Sequence, residues 1–220
     1  MAHYLPRLIW LGTLGAAAVA TAAPFSHKLH LKLGLDCVKC HAGLMASTKA
    51  SDNNLPAQAV CATCHQAPNE MAVKATPRTT RVGFFNHSLH LKLGNAAPVI
   101  AAAITGKSYH ASSPKSLPLD RIRAYLSTAG NNACAACHRG VEDNEATDHT
   151  MFPQMADCLT CHPKIEAPFS CEKCHAPGDQ LKPASHTATY VDHHSSGKAN
   201  LDKQSCVICH GRKFQCLGCH

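Results

Sequence analysis

The chain has few of the side chains that usually fill a protein interior. Only 5% of its 220 residues are aromatic and 16% are charged. This composition argues against an aromatic-rich core, so we expect something other than ordinary side chains to fill much of the interior. With Gly 13 and Pro 13, the sequence also gives no support to a collagen-like or solenoid class.

Long apolar runs are also scarce, and the main one lies at the start. Residues 1–22 place one cation, Arg7, before an apolar stretch from Leu8, and small residues Ala20 and Ala22 follow. This pattern is typical of a secretory signal peptide. The alternative, a membrane anchor, needs roughly 20 apolar residues and the stretch has about 13. We therefore predict a signal peptide over 1–22, no stable membrane insertion, and a periplasmic or secreted mature chain.

Cysteine and histidine are abundant instead, with 14 and 17 residues. Every cysteine belongs to a C-x-x-C pair, and histidine follows each pair directly. This is the attachment motif of haem c, in which two thiols bond the haem vinyl groups and the histidine binds the iron. The sequence thus predicts seven haem c groups. The attachment cysteines are Cys37, Cys40, Cys61, Cys64, Cys134, Cys137, Cys158, Cys161, Cys171, Cys174, Cys206, Cys209, Cys216 and Cys219, and the proximal ligands are His41, His65, His138, His162, His175, His210 and His220.

Three other uses of C-x-x-C pairs compete with this interpretation. A disulfide framework suits an exported chain, zinc ribbons contain such pairs, and redox motifs use one pair in a packed fold. None of the three requires a histidine after every pair, so haem attachment is the favoured reading.

The remaining histidines are sufficient to supply a second ligand to every iron. His3 leaves with the signal, and His110 is the expected spare. Methionine ligation would raise the reduction potential, but the surplus of histidine favours bis-histidine, low-potential sites. The distal candidates are His27, His30, His87, His90, His149, His186, His193 and His194.

One segment occurs twice. FSHKLHLKLG over 25–34 recurs as FNHSLHLKLG over 85–94, with eight of ten positions identical. Two histidines three residues apart lie on one face of a helical turn, or they approach two different irons from adjacent sides. The alternative is an amphipathic helix whose histidines face solvent.

This F-[S/N]-H-x-x-H segment, followed by a C-x-x-C-H site, resembles the class III, low-potential multihaem cytochromes c. That family usually carries three or four haems, so the chain resembles an expanded, heptahaem version in which residues 95–133 separate the second segment from its haem site. The resemblance implies that His27 lies opposite His41, His30 opposite His65, His87 opposite His138, and His90 opposite His162. We further expect His149 to serve the site of His175, and His186 with either His193 or His194 to serve the sites of His210 and His220.

The predicted fold is mostly irregular, with a few short α-helices organised around covalently bound haems. Each C-x-x-C-H is expected on a short helical turn. Within the insertion, Pro118 predicts the start of a short helix with Leu119, Ile122 and Leu126 on one stripe, packed against a haem or the chain. The predicted modules are a two-haem module at 23–70, a linker at 71–84, a three-haem module at 85–180 that contains the insertion 95–133, and a two-haem C-terminal module at 181–220.

These features predict an exported electron carrier rather than an enzyme. Its partners would be a membrane-bound donor and a periplasmic or outer-membrane acceptor, and the oligomeric state is open. The alternatives are a multihaem reductase with one open iron, a subunit of an extracellular haem filament, and a zinc-binding structural protein. Haem propionates offset the formal charge of +7, so no nucleic-acid partner is expected. Lys28, Lys32 and Lys39 would steer an acidic redox partner.

Overall fold

The computed structural model describes residues 25–66, 82–109, 117–162, 171–182, 186–195 and 210. Within these ranges the chain forms short helices joined by irregular segments, and no β-strand occurs there, so the predicted fold class is confirmed. The predicted signal peptide, His110, and the cysteines after position 200 lie outside the described residues. The α-helices are α1 (His27–Lys32), α2 (Cys37–Cys40), α3 (Gln58–Ala62), α4 (His87–Lys92), α5 (Ala97–Thr105), α6 (Leu119–Thr128), α7 (Met155–Leu159) and α8 (Tyr190–Ser195).

The duplicated segment forms α1 in its first copy and α4 in its second. Each helix begins after a polar residue whose side chain accepts a backbone hydrogen bond from the first turn. Ser26 accepts from Leu29 N at 3.1 Å, and Asn86 accepts from Leu89 N at 2.8 Å. Such N-caps satisfy a backbone N–H that has no partner within the helix. The repeated sequence therefore gives the same local structure twice.

Every described C-x-x-C-H motif is one closed helical turn. The backbone N–H of the histidine donates to the carbonyl of the first cysteine, four residues back, at 2.8–2.9 Å in all five. The predicted helical turn is confirmed at these sites. The backbone hydrogen bond of this turn therefore fixes the position of the histidine relative to the first cysteine of its motif. The five histidines concerned are His41, His65, His138, His162 and His175.

The insertion 95–133 supplies an aliphatic core. α5 packs against α6, and Ile100 and Ile122 are among the most completely buried side chains. The helix predicted after Pro118 is confirmed, and it packs against the chain, but Leu119 is 40% exposed, so its buried stripe is narrower than expected. Like every helix in the described ranges, α5 lacks the length and apolar character that crossing a membrane requires. The cluster comprises Ala97, Ile100, Ile104, Tyr109, Ile122, Leu126, Ala129, Ala135, Ala136 and Ala156.

A buried ion pair lies beside this core. Two guanidinium nitrogens of Arg139 donate to the two carboxylate oxygens of Asp157 at 3.0 and 2.7 Å, and the side chains are 0% and 3% exposed. Tyr109 Oη donates to the same carboxylate at 2.9 Å, and the backbone N–H of Gln154 donates at 2.7 Å. Burial alone would lower the pKa of Arg139, but the hydrogen-bonded Asp157 outweighs it and raises the pKa. Arg139 is therefore held in its charged form, and its hydrogen bonds to Asp157 offset part of the cost of burying it.

Candidate haem-binding sites

Histidine rings face each other in pairs across a gap. The rings of His27 and His41 have centroids 6.2 Å apart and planes within 10° of parallel. Each of four such pairs joins a histidine of a C-x-x-C-H motif with one of the distal candidates; for the motif of His210, the sequence had left the choice among His186, His193 and His194 open. The other three pairs are His30 with His65 at 6.1 Å, His90 with His162 at 6.3 Å, and His186 with His210 at 6.2 Å.

The width of this gap fits one metal ion. An imidazole nitrogen binds a metal at about 2.0–2.1 Å, and ring bonds of about 1.35 Å place that nitrogen about 1.15 Å from the ring centroid. Two imidazoles on opposite sides of one iron would therefore have centroids about 6.3–6.5 Å apart. The observed separations of 6.1–6.3 Å reach the lower end of that range or fall about 0.1–0.2 Å short of it. Rings this far apart leave room between them for one metal ion, so these histidines would hold the iron of a bound haem.

Backbone carbonyls orient several of these rings. The Nδ1 atom lies 2.8 Å from Ser26 O in His30, 2.8 Å from Asn86 O in His90, and 2.7 Å from Asn54 O in His41. Because a carbonyl only accepts, Nδ1 must carry the proton in each case. In the neutral ring Nε2 is then the atom with a free lone pair, which is the state that binds a metal.

His27 also has the character of a ligand. Burial, followed by the nearby rings of His41 and His30, lowers its pKa. The lowered pKa favours the neutral imidazole, the form that coordinates metals. Phe25 packs at 4.9 Å from the His27 ring and at 4.5 Å from the His30 ring, and holds the two histidines of α1 in place.

The attachment cysteines are accessible, since none of those described is buried. Two of them, from different motifs, lie near each other. The neighbouring Cys134 thiol is the main cause that lowers the pKa of Cys37 to about 6, and the neighbouring Cys37 raises the pKa of Cys134. Asn132 Nδ2 lies 3.9 Å from the same Cys37 sulfur. The first cysteines of two haem sites, 97 positions apart in the sequence, therefore lie side by side.

Other predicted ligands remain predictions. His87 lies on α4 at the position equivalent to His27, with the Phe85 ring at 4.6 Å. His149 is exposed in the 3-10 turn His149–Met151, and His175 Nδ1 lies 3.9 Å from Asp179 Oδ2. His193 and His194 belong to α8, and their side chains are not described. Cys206, Cys209, Cys216, Cys219 and His220 lie outside the described residues, as does His110.

The sequence reasoning missed the ion pair that joins two of these sites. Arg139 directly follows the proximal His138, and Asp157 directly precedes Cys158 of the next motif. Their hydrogen bonds therefore link the site of His138 to that of His162. The sequence did contain a hint of this pair, because a cation directly follows one C-x-x-C-H motif and an acid directly precedes the next. Among the described residues, no three or more His, Cys, Asp or Glu side chains cluster in a way that could hold a metal ion.

Comparison with known proteins agrees with this geometry over the first part of the chain. Residues 23–81 match the family model described as "Cytochrome c7 and related cytochrome c". That segment contains the pairs His27 with His41 and His30 with His65, and the match supports a multihaem c-type cytochrome of the class III or c7 kind. The match covers less than half of the chain and does not give the number of haems. Neither the curated proteins nor the solved structures compared with the chain give a match.

Proposed function

We propose that this chain is an exported heptahaem c-type cytochrome that carries electrons between redox proteins. The observation that carries this proposal is the set of four opposed imidazole pairs at 6.1–6.3 Å. Haem c, where bound, supplies a one-electron ferrous/ferric couple, and the protein's part is to fix ligands, orientation and electrostatics. The count of seven rests on the seven C-x-x-C-H motifs.

A carrier is favoured over an enzyme because the ligands suffice for every iron. A reductase needs one iron with an open coordination position, where its substrate binds. Here eight distal candidates are available for seven proximal histidines. An iron with two imidazoles has no open position, so it exchanges electrons without making or breaking bonds to a substrate. The remaining alternative, a subunit of an extracellular haem filament, would have the same bis-histidine sites.

The proposed location is the periplasm or the extracellular space, because residues 1–22 have the pattern of a signal peptide. The proposed partners are a membrane-bound electron donor and a periplasmic or outer-membrane acceptor. Lys32 and Lys39 are exposed near the first haem site, whereas Lys28 lies 3.6 Å from Glu145. Exposed cations of this kind steer an acidic partner, so association should slow as salt rises.

Electron paramagnetic resonance of the oxidised protein separates the carrier from the reductase. A carrier with bis-histidine iron gives low-spin ferric signals only, with an integrated intensity of seven per chain. A high-spin signal of one per chain would contradict the carrier and favour a reductase. Electron microscopy of the same sample at working concentration tests the filament, which would show as ordered polymers.

A further inference from the structure

The two histidine segments belong to a longer internal repeat. The spacing from His41 to Cys61 is 20 positions, and the spacing from His138 to Cys158 is also 20. In each copy a helix begins at the same distance before the second C-x-x-C-H motif. Helix α3 begins three residues before Cys61, and α7 begins three residues before Cys158. The 95–133 segment is thus inserted into the second copy between its histidine helix and its first haem motif.

Side-chain geometry repeats as well. His41 Nδ1 lies 2.7 Å from the carbonyl 13 residues later, that of Asn54, and His138 Nδ1 lies 3.2 Å from the carbonyl 13 residues later, that of Met151. The rings of His30 and His65 are tilted by 47°, and the equivalent rings of His90 and His162 are also tilted by 47°. The matching hydrogen bonds and ring angles indicate that the two segments adopt the same local fold.

The copies contact each other in a reciprocal way. α1 of the first copy packs on the turn Val141–Asp143, which follows the first haem motif of the second copy. α4 of the second copy packs on the turn Ala42–Met45, which follows the first haem motif of the first copy. Reciprocal contacts of this kind are the mark of a two-fold arrangement, in which each partner uses the same surface.

Polar contacts support both halves of this arrangement. On one side, Ser26 Oγ donates to Glu145, and Lys28 Nζ lies 3.6 Å from the same carboxylate. On the other side, Ser88 N donates to Ser47 O at 2.9 Å. Between the two sides, Cys37 Sγ lies 3.9 Å from Asn132 Nδ2, two residues before Cys134, which is the position equivalent to Cys37 in the second copy. A residue that lies next to its own equivalent lies close to the axis that relates the copies.

We propose that residues 25–66, and residues 85–94 with 134–162, are two copies of one two-haem unit that pair reciprocally about Cys37 and Cys134. The interaction surface is formed by α1, α4 and the two turns that they contact. Its partner is the other copy within the same chain. By the same symmetry His87 faces His138 as His27 faces His41. The inference rests on the proposed function only in that the paired sites hold haem.

None of the observed histidine pairs crosses this surface. His27 with His41 and His30 with His65 lie within the first copy, and His90 with His162 lies within the second. At these three sites both ligands would come from one copy, so coordination there does not join the copies. If the segment 67–81 between the copies is cut in the folded protein, we expect the pairing surface to keep the two pieces associated.

The test is to insert a specific protease site within 67–81, cut the purified haem-loaded protein, and run it on a size-exclusion column. We expect the two fragments to elute together at one-to-one stoichiometry in low salt. Separation of the fragments would overturn the proposal. The readout is polypeptide association, so it is independent of electron transfer: a protein whose fragments stay paired but that carries no electrons would contradict the proposed function alone.

A matched pair of charge reversals locates the surface. Glu145→Lys places a cation against Lys28, whereas Asp120→Lys makes the same charge change on an exposed position of α6. We expect Glu145→Lys to raise the dissociation constant of the cut fragments severalfold. The difference should shrink at about 1 M salt, where charges are screened beyond about 3 Å. Asp120→Lys should leave the constant unchanged, and equal effects of the two substitutions would overturn the proposed surface. Haem absorbance per chain verifies that both variants are fully loaded.

Discussion

Removing the Asp157 carboxylate should destabilise the protein strongly. The side chain is 3% exposed and accepts hydrogen bonds from Tyr109, from two nitrogens of Arg139 and from Gln154 N. Asp157→Ala would leave the Arg139 guanidinium buried without its counter-charge. Breaking a buried pair from one side costs about 3–5 kcal/mol, whereas removing both charges costs far less. We therefore expect Asp157→Ala to lower the free energy of unfolding by about 3–5 kcal/mol.

Urea unfolding of the haem-loaded protein measures this cost. Far-ultraviolet circular dichroism follows the helices and the haem absorbance follows the ligands, and coincident transitions would justify a two-state treatment. The double variant Arg139→Met with Asp157→Leu removes both charges and keeps apolar volume, and it should lie within about 2 kcal/mol of the wild type. Asp120→Ala, on an exposed position of α6, is the surface control and should change stability by about 0.5 kcal/mol or less. If the free energy of unfolding of Asp157→Ala equalled or exceeded that of the double variant, an uncompensated buried guanidinium would not be the cause of the loss.

Three further predictions concern the core, a turn and a ligand. Ile122→Ala should cost about 2–5 kcal/mol in the same urea assay because its side chain is 0% exposed, and a loss below about 1 kcal/mol would show that the α5–α6 cluster contributes little. Gly140→Ala should be more destabilising than Gly34→Ala in the same assay. Both glycines have positive φ, at +77° and +81°, and share a strain of about 1–2 kcal/mol. Only a Cβ at Gly140 would also meet Tyr125, at 2.9 Å from Oη and 3.0 Å from Cζ. His27→Met should raise the midpoint potential of one haem in a redox titration, since thioether ligation favours ferrous iron, and an unchanged titration curve would mean that His27 is not a ligand.

The local parts of each site were readable from the sequence. A C-x-x-C-H motif is a single helical turn because the histidine N–H reaches back four residues, as it does from His41 to Cys37. The two-histidine helices were also predictable, since Ser26 and Asn86 are favourable N-caps. The ring pairs needed the family resemblance, because a histidine 14 residues from its partner, as His27 is from His41, has no local preference for it.

The core of the insertion was not predicted in full. No helix was predicted for α5, and the packing of its apolar residues against α6 depends on contacts between separate segments of the insertion. The Arg139–Asp157 pair joins residues 18 positions apart, and nothing in either local pattern selects one partner over another. The reciprocal pairing of the two copies was not predicted either, because it depends on contacts between distant segments. The equal spacing from His41 to Cys61 and from His138 to Cys158 would have indicated the repeat but not the pairing.

The buried cluster also refines what fills the interior. The scarcity of aromatics led to the expectation that cofactors replace ordinary side chains. In the described part of the chain, Tyr109 is the only aromatic of the core cluster, and alanine and isoleucine side chains of α5 and α6 make up much of the rest. Burial of this kind stabilises by about 25 cal/mol per Å² of apolar surface. We therefore expect the region around α5 and α6 to keep more structure than the haem sites when haem attachment is blocked.

The mass of the intact mature protein under denaturing conditions tests the central claim most directly. Thioether bonds survive denaturation, so each attached haem stays on the polypeptide and adds its own mass. We expect the mass of residues 23–220 with seven haem groups attached, one for each C-x-x-C-H motif. A mass equal to the bare polypeptide, or to a chain with disulfides in place of haems, would contradict it.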